Sequence, residues 1–191
     1  MQDKYAVWTG RFQPPHVGHF QLLKYSVESL GLPHVVIMVA YFNGETEGFY
    51  GRLAQEAYSS DRNPFTVWER LALMRLGLQE YDLVDQTTVL VAPHHDADWS
   101  YVSTFYPPRR VICLTAKDEF EAAKAALWRS RGERVHVFSE LGPGSVVTTT
   151  WIQQMVSTGS DWRDFMPLKS HNYFEEIDGP SRVFGADRIV R

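Results

Sequence analysis

The chain has 191 residues, of which 44% are hydrophobic, and its formal net charge is −4 at pH 7. A chain of this length and composition can bury a sizeable core, which argues against disorder as its main state. The acidic balance argues against a general binder of nucleic acid or of anionic membranes, so a phosphorylated ligand would have to be met by local positive charge.

The single cysteine and the first residues bear on the cellular compartment. Cys113 lies in an apolar run and predicts a buried strand thiol, and a lone cysteine forms no intramolecular disulfide. This usage favours a reducing cytoplasm. The N-terminus shows no signal-peptide pattern, and no apolar run is long enough to span a bilayer, so we expect neither secretion nor a membrane partner.

Short apolar runs alternate with segments of helical spacing along the chain. In the first half, the pattern predicts a strand at 5–9, a helix at 18–30, a strand at 35–40 and a helix at 66–78. In the second half, it predicts strands at 88–91 and 110–115, a helix at 118–129, a strand at 135–138 and a helix at 149–157. Thr66 and Glu69 form a capping box at the start of the second helix.

Strands that alternate with helices predict an α/β fold, a Rossmann-like parallel sheet with helices on both faces. Residues 41–62 are mostly polar and contain several glycines, which predicts a long surface loop or lid. No internal repeat or low-complexity tract is visible. We expect one domain over residues 1–191, with an α/β core at 1–158 and a short C-terminal helical segment at 159–191.

The most informative motif follows the first predicted strand and reads Gly-Arg-Phe-Gln-Pro-Pro-His-Val-Gly-His at residues 10–19. A strand-to-helix turn lies at the carboxyl end of the sheet, where open α/β folds bind ligands. The helix that begins near Gly18 directs free N–H groups and a partial positive charge at this point. His16 and His19 lie three residues apart across the helix start, so both imidazoles can converge on one anion. The pattern favours phosphoryl or nucleotidyl transfer.

Two other interpretations of the histidine pair stay open. They could be two ligands of a metal site, although this spacing alone supplies only two ligands, or they could be incidental surface histidines. The Gly-x-x-x-x-Gly-Lys-Ser/Thr pattern is absent, so the motif is not a P-loop.

The motif resembles the Gly-Arg-Phe-Gln-Pro-Phe-His-x-Gly-His signature of archaeal-type and Nudix-fused nicotinamide-mononucleotide adenylyltransferases, in the HxGH nucleotidylyltransferase superfamily. Only Pro15 departs from it. The resemblance implies that His16 and His19 contact a triphosphate and stabilise a pentacovalent transition state, with no covalent enzyme intermediate. It also implies a group of nucleotide contacts before and between the histidines: Gly10, Arg11, Phe12, Gln13 and Gly18.

The segment Asn-Pro-Phe-Thr-Val-Trp-Glu-Arg at 63–70 is similar to the Asn-Pro-Phe-Thr-x-x-Glu-Arg that opens a helix in the same family. Helix capping is a sufficient explanation for its Thr66 and Glu69. Arg70 is either a solvated helix charge or a contact to the acceptor.

The stretch Asp-Ala-Asp-Trp, which ends at Trp99, resembles the family segment in which an acidic residue precedes a tryptophan stacked on the nicotinamide ring. The resemblance implies acceptor contacts for Trp99, Asp96 and Asp98. A tryptophan face attracts a cationic pyridinium ring. Two alternatives stay open: a tryptophan buried under a loop, or a metal site that adds His94 and His95 to the two aspartates.

Lys117 and Asp118 follow the fourth predicted strand. They resemble the family corner that binds the nucleotide phosphate and ribose, although Asp118 is equally explained as an N-terminal helix charge. The C-terminal residues 175–179 also resemble the family.

The second family signature, Ile-Ser-Ser/Gly-Thr-x-Ile-Arg, is altered to Val-Thr-Thr-Thr-Trp-Ile-Gln at 147–153. The signature arginine is a bidentate charge for phosphate, which the neutral amide of Gln153 does not reproduce. Arg11, Lys117 or Arg52 could supply the missing charge. The hydroxyl-rich helix start remains and offers three candidate nucleotide contacts: Thr148, Thr149 and Thr150.

Three functions are compatible with the sequence. The first is adenylyl transfer from ATP to nicotinamide mononucleotide, giving NAD and pyrophosphate. The second is nucleotidyl transfer with another acceptor or base, for example a cytidylyltransferase of specialised metabolism; Pro15, Trp151 and the loop at 41–62 would fit a reshaped pocket. The third is a repurposed fold that binds a nucleotide or dinucleotide as a sensor, or that does different chemistry on it. The family implies Mg²⁺ carried mainly by the triphosphate, and a homo-oligomer is possible.

Overall fold

The computed structural model describes residues 3–40, 63–94, 98–116, 119–139 and 147–185. The surface loop predicted at 41–62 lies outside the described residues. No helix in the described ranges is long and apolar enough to cross a membrane.

The described strands form one parallel sheet in the order β3-β2-β1-β4-β5. The parallel α/β fold predicted from the sequence is therefore confirmed. Each predicted strand is found within one residue of its predicted ends, because apolar residues are concentrated in each of these short segments. The strands are β1 Tyr5–Gly10, β2 His34–Val39, β3 Thr87–Ala92, β4 Arg110–Thr115 and β5 Arg134–Phe138.

Helices occupy the connections between strands and the C-terminal part of the chain. The four long predicted helices are confirmed. The helix at 99–102 was not predicted, since four residues are too few to show a helical period. The helices are α1 Val17–Leu30, α2 Val67–Glu80, α3 Trp99–Val102, α4 Glu119–Ser130, α5 Thr149–Ser157, α6 His171–Glu176 and α7 Gly179–Phe184.

The chain divides into two compact units. The first, here called the sheet unit, comprises Met1–Arg11, Val27–Asn63 and Gln86–Leu141. The second, here called the histidine unit, comprises Phe12–Ser26, Pro64–Asp85 and Gly142–Arg191. The single domain expected from the sequence, with its boundary at residue 158, stays a prediction.

Each unit has its own apolar core. In the sheet unit, the central strands bury Val7, Ile37 and Ile112 completely. Cys113 is a buried free thiol on β4, as predicted. In the histidine unit, the core contains Phe65 from the segment before α2 and Phe174 from α6, among other apolar side chains.

Candidate active site

His16 and His19 form a closed pair at the start of α1. His16 directly precedes the helix and is 1% exposed. Its backbone N–H donates to Nδ1 of His19 at 3.2 Å, and the His19 N–H donates to the His16 carbonyl at 2.9 Å. The two ring centroids lie 3.8 Å apart. The first bond is the one that a Glu or Gln side chain makes in a capping box, here made by an imidazole, and the second is a backbone turn bond.

This bond sets the tautomer of His19. Because Nδ1 accepts the His16 N–H, the ring proton of neutral His19 resides on Nε2. His19 is half-buried, whereas His16 is enclosed. His19 can therefore present a neutral N–H donor to a phosphate oxygen, and His16 holds it there.

Phe12 fixes the His19 ring from a second side. Its ring lies edge-on to the imidazole, with centroids 5.0 Å apart and planes at 62°. The backbone of Phe12 is left-handed, with φ of 53°, and the side chain is buried. A left-handed residue other than glycine costs about 1–2 kcal/mol and persists where its surroundings over-determine it. A direct contact of Phe12 to the nucleotide stays a prediction.

Gln13 binds protein backbone with both ends of its amide. Nε2 donates to the Phe65 carbonyl and Oε1 accepts from the Phe65 N–H, each at 3.0 Å. The side chain is buried, with 7% of the residue exposed. The sequence assigned Gln13 to the nucleotide; the described contacts instead give it a partner before α2, and the nucleotide contact stays a prediction.

Gly18 allows two helix starts to approach one another. A Cβ at Gly18 would lie 2.6 Å from Cβ of Val147 and 3.3 Å from Cε1 of His16. Val147 immediately precedes the N-cap of α5, so the missing side chain is required by protein packing. A contact of the Gly18 backbone with the nucleotide stays a prediction.

The α5 start presents the hydroxyl groups predicted from the sequence. Thr148 is its N-cap, and its Oγ1 accepts from the Trp151 N–H at 3.1 Å. Thr149 and Thr150 lie in the first turn. Since Val147 contacts Gly18, the N-termini of α1 and α5 meet within one unit, and each carries a partial positive charge. The geometry suits a polyanion.

Gln153 lies one turn further along α5. Its Nε2 donates to the Val183 carbonyl on α7 at 3.0 Å. The amide thus has a structural partner, and its role toward a ligand stays a prediction.

The cations proposed to replace the family arginine are only partly described. Arg11 donates to Oδ1 of Asn63 at 3.3 Å. Gly10, which precedes it, ends β1 opposite Met38. Arg52 and Lys117 lie outside the described residues, as does Asp118.

Arg70 is not a solvated helix charge. It is 1% exposed, and its Nε donates to the Thr66 carbonyl at 3.4 Å. The alternative of a solvated charge was therefore wrong, because the Arg70 side chain is buried and bonds to the backbone of the preceding turn. An acceptor contact for Arg70 stays a prediction.

Arg182 on α7 is a residue that the sequence interpretation missed. The predicted capping box of Thr66 and Glu69 is confirmed, and Glu69 also forms an ion pair with Arg182 through contacts of 2.7 and 3.0 Å. The hydrogen bond from Arg182 holds the pKa of Glu69 at about 2. The two residues are 113 positions apart, so no local pattern could have paired them.

In the sheet unit, Asp98 and Trp99 begin α3. Oδ1 of Asp98 accepts from the backbone N–H of Ser100 at 3.0 Å and from its hydroxyl at 2.7 Å. The bond from the Ser100 hydroxyl, and to a smaller extent the bond from its backbone N–H, lowers the pKa of Asp98. Asp98 therefore caps a helix, and its acceptor contact stays a prediction. Asp96 lies outside the described residues.

Trp99 packs in a cluster of aromatic and cationic side chains. Its ring is edge-on to Tyr106 and to Trp128, with centroids 5.4 and 5.2 Å away. The Arg131 guanidinium lies 4.8 Å from its centroid and that of Arg110 lies 5.7 Å away. The alternative of a packed tryptophan is thus supported by contacts, while stacking on an acceptor stays a prediction.

His94 follows β3 and is 1% exposed. Burial, and then the charges of Lys124, Arg131 and Arg11, lower its pKa to about 4. No group of three His, Cys, Asp or Glu side chains that could hold a metal occurs among the described residues. His95 and Asp96, two members of the hypothetical metal set, lie outside them.

Comparison with known proteins places the chain beside one group of enzymes. No protein-family model matches it. It is 27% identical over 183 residues to a nicotinamide-nucleotide adenylyltransferase of Caldivirga maquilingensis, covering 93% of this chain and 91% of that one. It is 28% identical over 187 residues to the protein of that name from Aeropyrum pernix, covering 91% and 92%. The resemblance read from the motif is confirmed.

The chain is an enzyme of the nucleotidylyltransferase type. A solved structure from Vibrio parahaemolyticus, provisionally assigned as a nicotinate-nucleotide adenylyltransferase, is similar over 97% of this chain and 97% of that one, with a TM-score of 0.58. The sequences are only 15% identical, so that likeness shows the shared fold.

Proposed function

We propose that this enzyme transfers the adenylyl group of ATP to nicotinamide mononucleotide, forming NAD. A phosphate oxygen of the mononucleotide attacks the α-phosphorus of ATP. The bond from that phosphorus to the bridging oxygen breaks, and pyrophosphate leaves with the electron pair. The observation that carries the proposal is the His16–His19 pair at the joined N-termini of α1 and α5.

The proposed role of this arrangement is to bind charge that shifts during the reaction. The Nε2–H of His19 donates to a phosphate oxygen, and the free N–H groups of α1 and α5 bind the others. Donors fixed before the reaction stabilise the transition state without reorganisation. No side chain of the pair has to become covalently attached to the nucleotide.

Mg²⁺ is proposed as a companion of the triphosphate. The donors described around the pair are imidazole, amide and hydroxyl groups, which make no carboxylate cage for a hard cation. The triphosphate oxygens supply such ligands themselves. Bound Mg²⁺ would neutralise charge on the leaving pyrophosphate.

A second candidate is the same transfer to a phosphorylated acceptor whose base carries no positive charge. The Arg131 guanidinium over the ring of Trp99 favours it, because a cationic pyridinium stacked there would meet a like charge. Reduced nicotinamide mononucleotide tests this directly, since its ring is neutral and of nearly the same shape.

The test is a comparison of acceptors and donors with the wild-type enzyme. We expect NAD formation from ATP and nicotinamide mononucleotide, followed through a coupled dehydrogenase, with CTP a poor donor. Faster transfer to the reduced mononucleotide, measured by pyrophosphate release, would favour the second candidate. If neither nicotinamide mononucleotide nor its reduced form supports release of pyrophosphate from ATP, both candidate functions are contradicted.

A further inference from the structure

The segment before α2 is held from one side by Gln13. Both hydrogen-bonding groups of the Phe65 backbone are paired with the Gln13 amide, at 3.0 Å each. Two parallel bonds in a buried setting fix orientation as well as distance. The position of Gln13 therefore follows the backbone at Phe65.

Arg182 holds the same segment from the other side. Its Nη2 donates to the Pro64 carbonyl, and its guanidinium lies 4.5 Å from the centroid of the Phe65 ring. Glu69 orients that guanidinium through two further bonds. Residues 64 and 65 are thus held by Arg182 of α7 and by Gln13 of the segment 12–19, here called the histidine loop.

The guanidinium of Arg182 is already occupied by protein acceptors. Nη1 donates to Glu69 and to the Ile177 carbonyl at 2.9 Å, while Nη2 donates to Glu69 and to Pro64. Its pKa is raised, chiefly by the hydrogen bond to Glu69. A guanidinium whose two terminal nitrogens each make two such bonds suits an orienting role better than contact with a substrate.

We propose that Gln13 and Arg182 are positioning residues, which act through Pro64 and Phe65 to hold His19 in its productive orientation. The path continues from Gln13 to its neighbour Phe12, whose strained backbone places its ring edge against the imidazole. Loosening Gln13 lets Phe12 relax, and His19 loses one of its two supports. Displacements of about 1 Å at a reacting group can cost about 100-fold in rate.

The direct test is ¹⁵N NMR of the histidine imidazoles in the free protein. In the wild type, His19 should show an unprotonated Nδ1 and a protonated Nε2. In Gln13→Met and Arg182→Met, the ring that has lost the support of Phe12 should turn away from the His16 N–H, and the two shifts should approach each other as the ring exchanges between tautomers. Arg163→Met is the matched control, because Arg163 lies in the same unit and pairs with Asp161 and Glu175 instead; it should leave His19 unchanged.

Kinetics supply the second readout, and this part alone depends on the proposed function. Both variants should lower kcat about 10-fold or more and leave KM for ATP within about twofold, since the support acts on the transition state. Arg182→Lys, which keeps the charge and one bond, should recover part of the loss. A wild type without adenylyl transfer would refute the proposed function and leave the NMR test intact.

If Gln13→Met fails to fold, Gln13→Glu is used as the test variant instead. Its carboxylate still accepts the hydrogen bond from the Phe65 N–H. The proposal is overturned if the His19 shifts are the same as in the wild type in both the Gln13 and the Arg182 variants. Equal changes in the Arg163 control would overturn it as well, because they would show a general loosening of the unit.

Discussion

The histidine loop and the Trp99 cluster place their principal side chains in different ways. His19 is oriented by its sequence neighbours His16 and Phe12. Trp99 is oriented by residues from β4, from α4 and from the turn after it, such as Arg110 and Arg131.

This difference determines how much of a side chain's environment can be inferred from the sequence motif that contains it. Contacts made between residues of one motif recur wherever that motif recurs, even where distant residues such as Arg182 support them. A side chain that is positioned by residues distant in sequence can be the same residue in two related proteins and still have different surroundings. The catalytic prediction from the sequence therefore transfers more directly than the acceptor prediction, and the following variants test that contrast.

The largest effect is expected at His19. His19→Ala removes a donor to the transition state and should reduce turnover by roughly 100-fold or more. The melting temperature should stay close to that of the wild type, because His19 is half-buried. Steady-state kinetics measure the loss, and His136→Ala, in which the lost ring packs on Phe138 in the sheet unit, is the control. Wild-type turnover in the His19→Ala variant would show that the histidine loop takes no part in catalysis.

Trp99→Ala tests the other half of the contrast. If Trp99 stacks on the acceptor, acceptor affinity should fall by roughly 5- to 150-fold, as expected for about 1–3 kcal/mol of stacking, while ATP affinity is unchanged. Trp99→Phe should keep part of the affinity. A lowered melting temperature with equal losses for both ligands would show that Trp99 serves the cluster with Tyr106 and Trp128 instead.

His94 predicts a pH dependence of stability in the sheet unit. Its pKa falls from 6.5 to about 4 on folding, so the unfolded chain binds the proton more tightly. The free energy of unfolding should therefore be unaffected by His94 above about pH 6.5, and it should decrease by on the order of 1–3 kcal/mol as the pH falls toward 4. Denaturant unfolding at several pH values measures this slope.

His94→Gln should reduce the slope of unfolding free energy against pH below pH 6.5, and it should not change the slope above pH 7. His34 contributes in the same direction, because burial lowers its pKa too, so some slope should remain. An unchanged slope in the variant would show that His94 does not carry the dependence.

The smallest effect is expected at Gln153. Its amide donates to Val183, so Gln153→Leu should cost about 1 kcal/mol of stability and change turnover little. Gln153→Arg restores the residue type of the family signature. A gain of about 10-fold in the use of ATP would show that this position does face the triphosphate, contrary to the contact with Val183.

Local signals predicted most of the fold. Short segments rich in apolar residues located all five described strands, and the capping box located the start of α2. The pairing of Gln13 with Phe65 and of Glu69 with Arg182 could not be predicted, because it joins segments far apart in the chain. For Gly18 the residue type was informative, but its partner Val147 was not visible without the structure.

The central claim is that the paired helix starts at the histidine loop serve direct adenylyl transfer. ³¹P NMR of the wild-type enzyme with Mg²⁺, ATP and nicotinamide mononucleotide tests it in one experiment. NAD and pyrophosphate should appear in equal amounts as both substrates disappear, and His19→Ala should slow the formation of both together. Formation of ADP and phosphate, or no consumption of ATP despite bound mononucleotide, would contradict it.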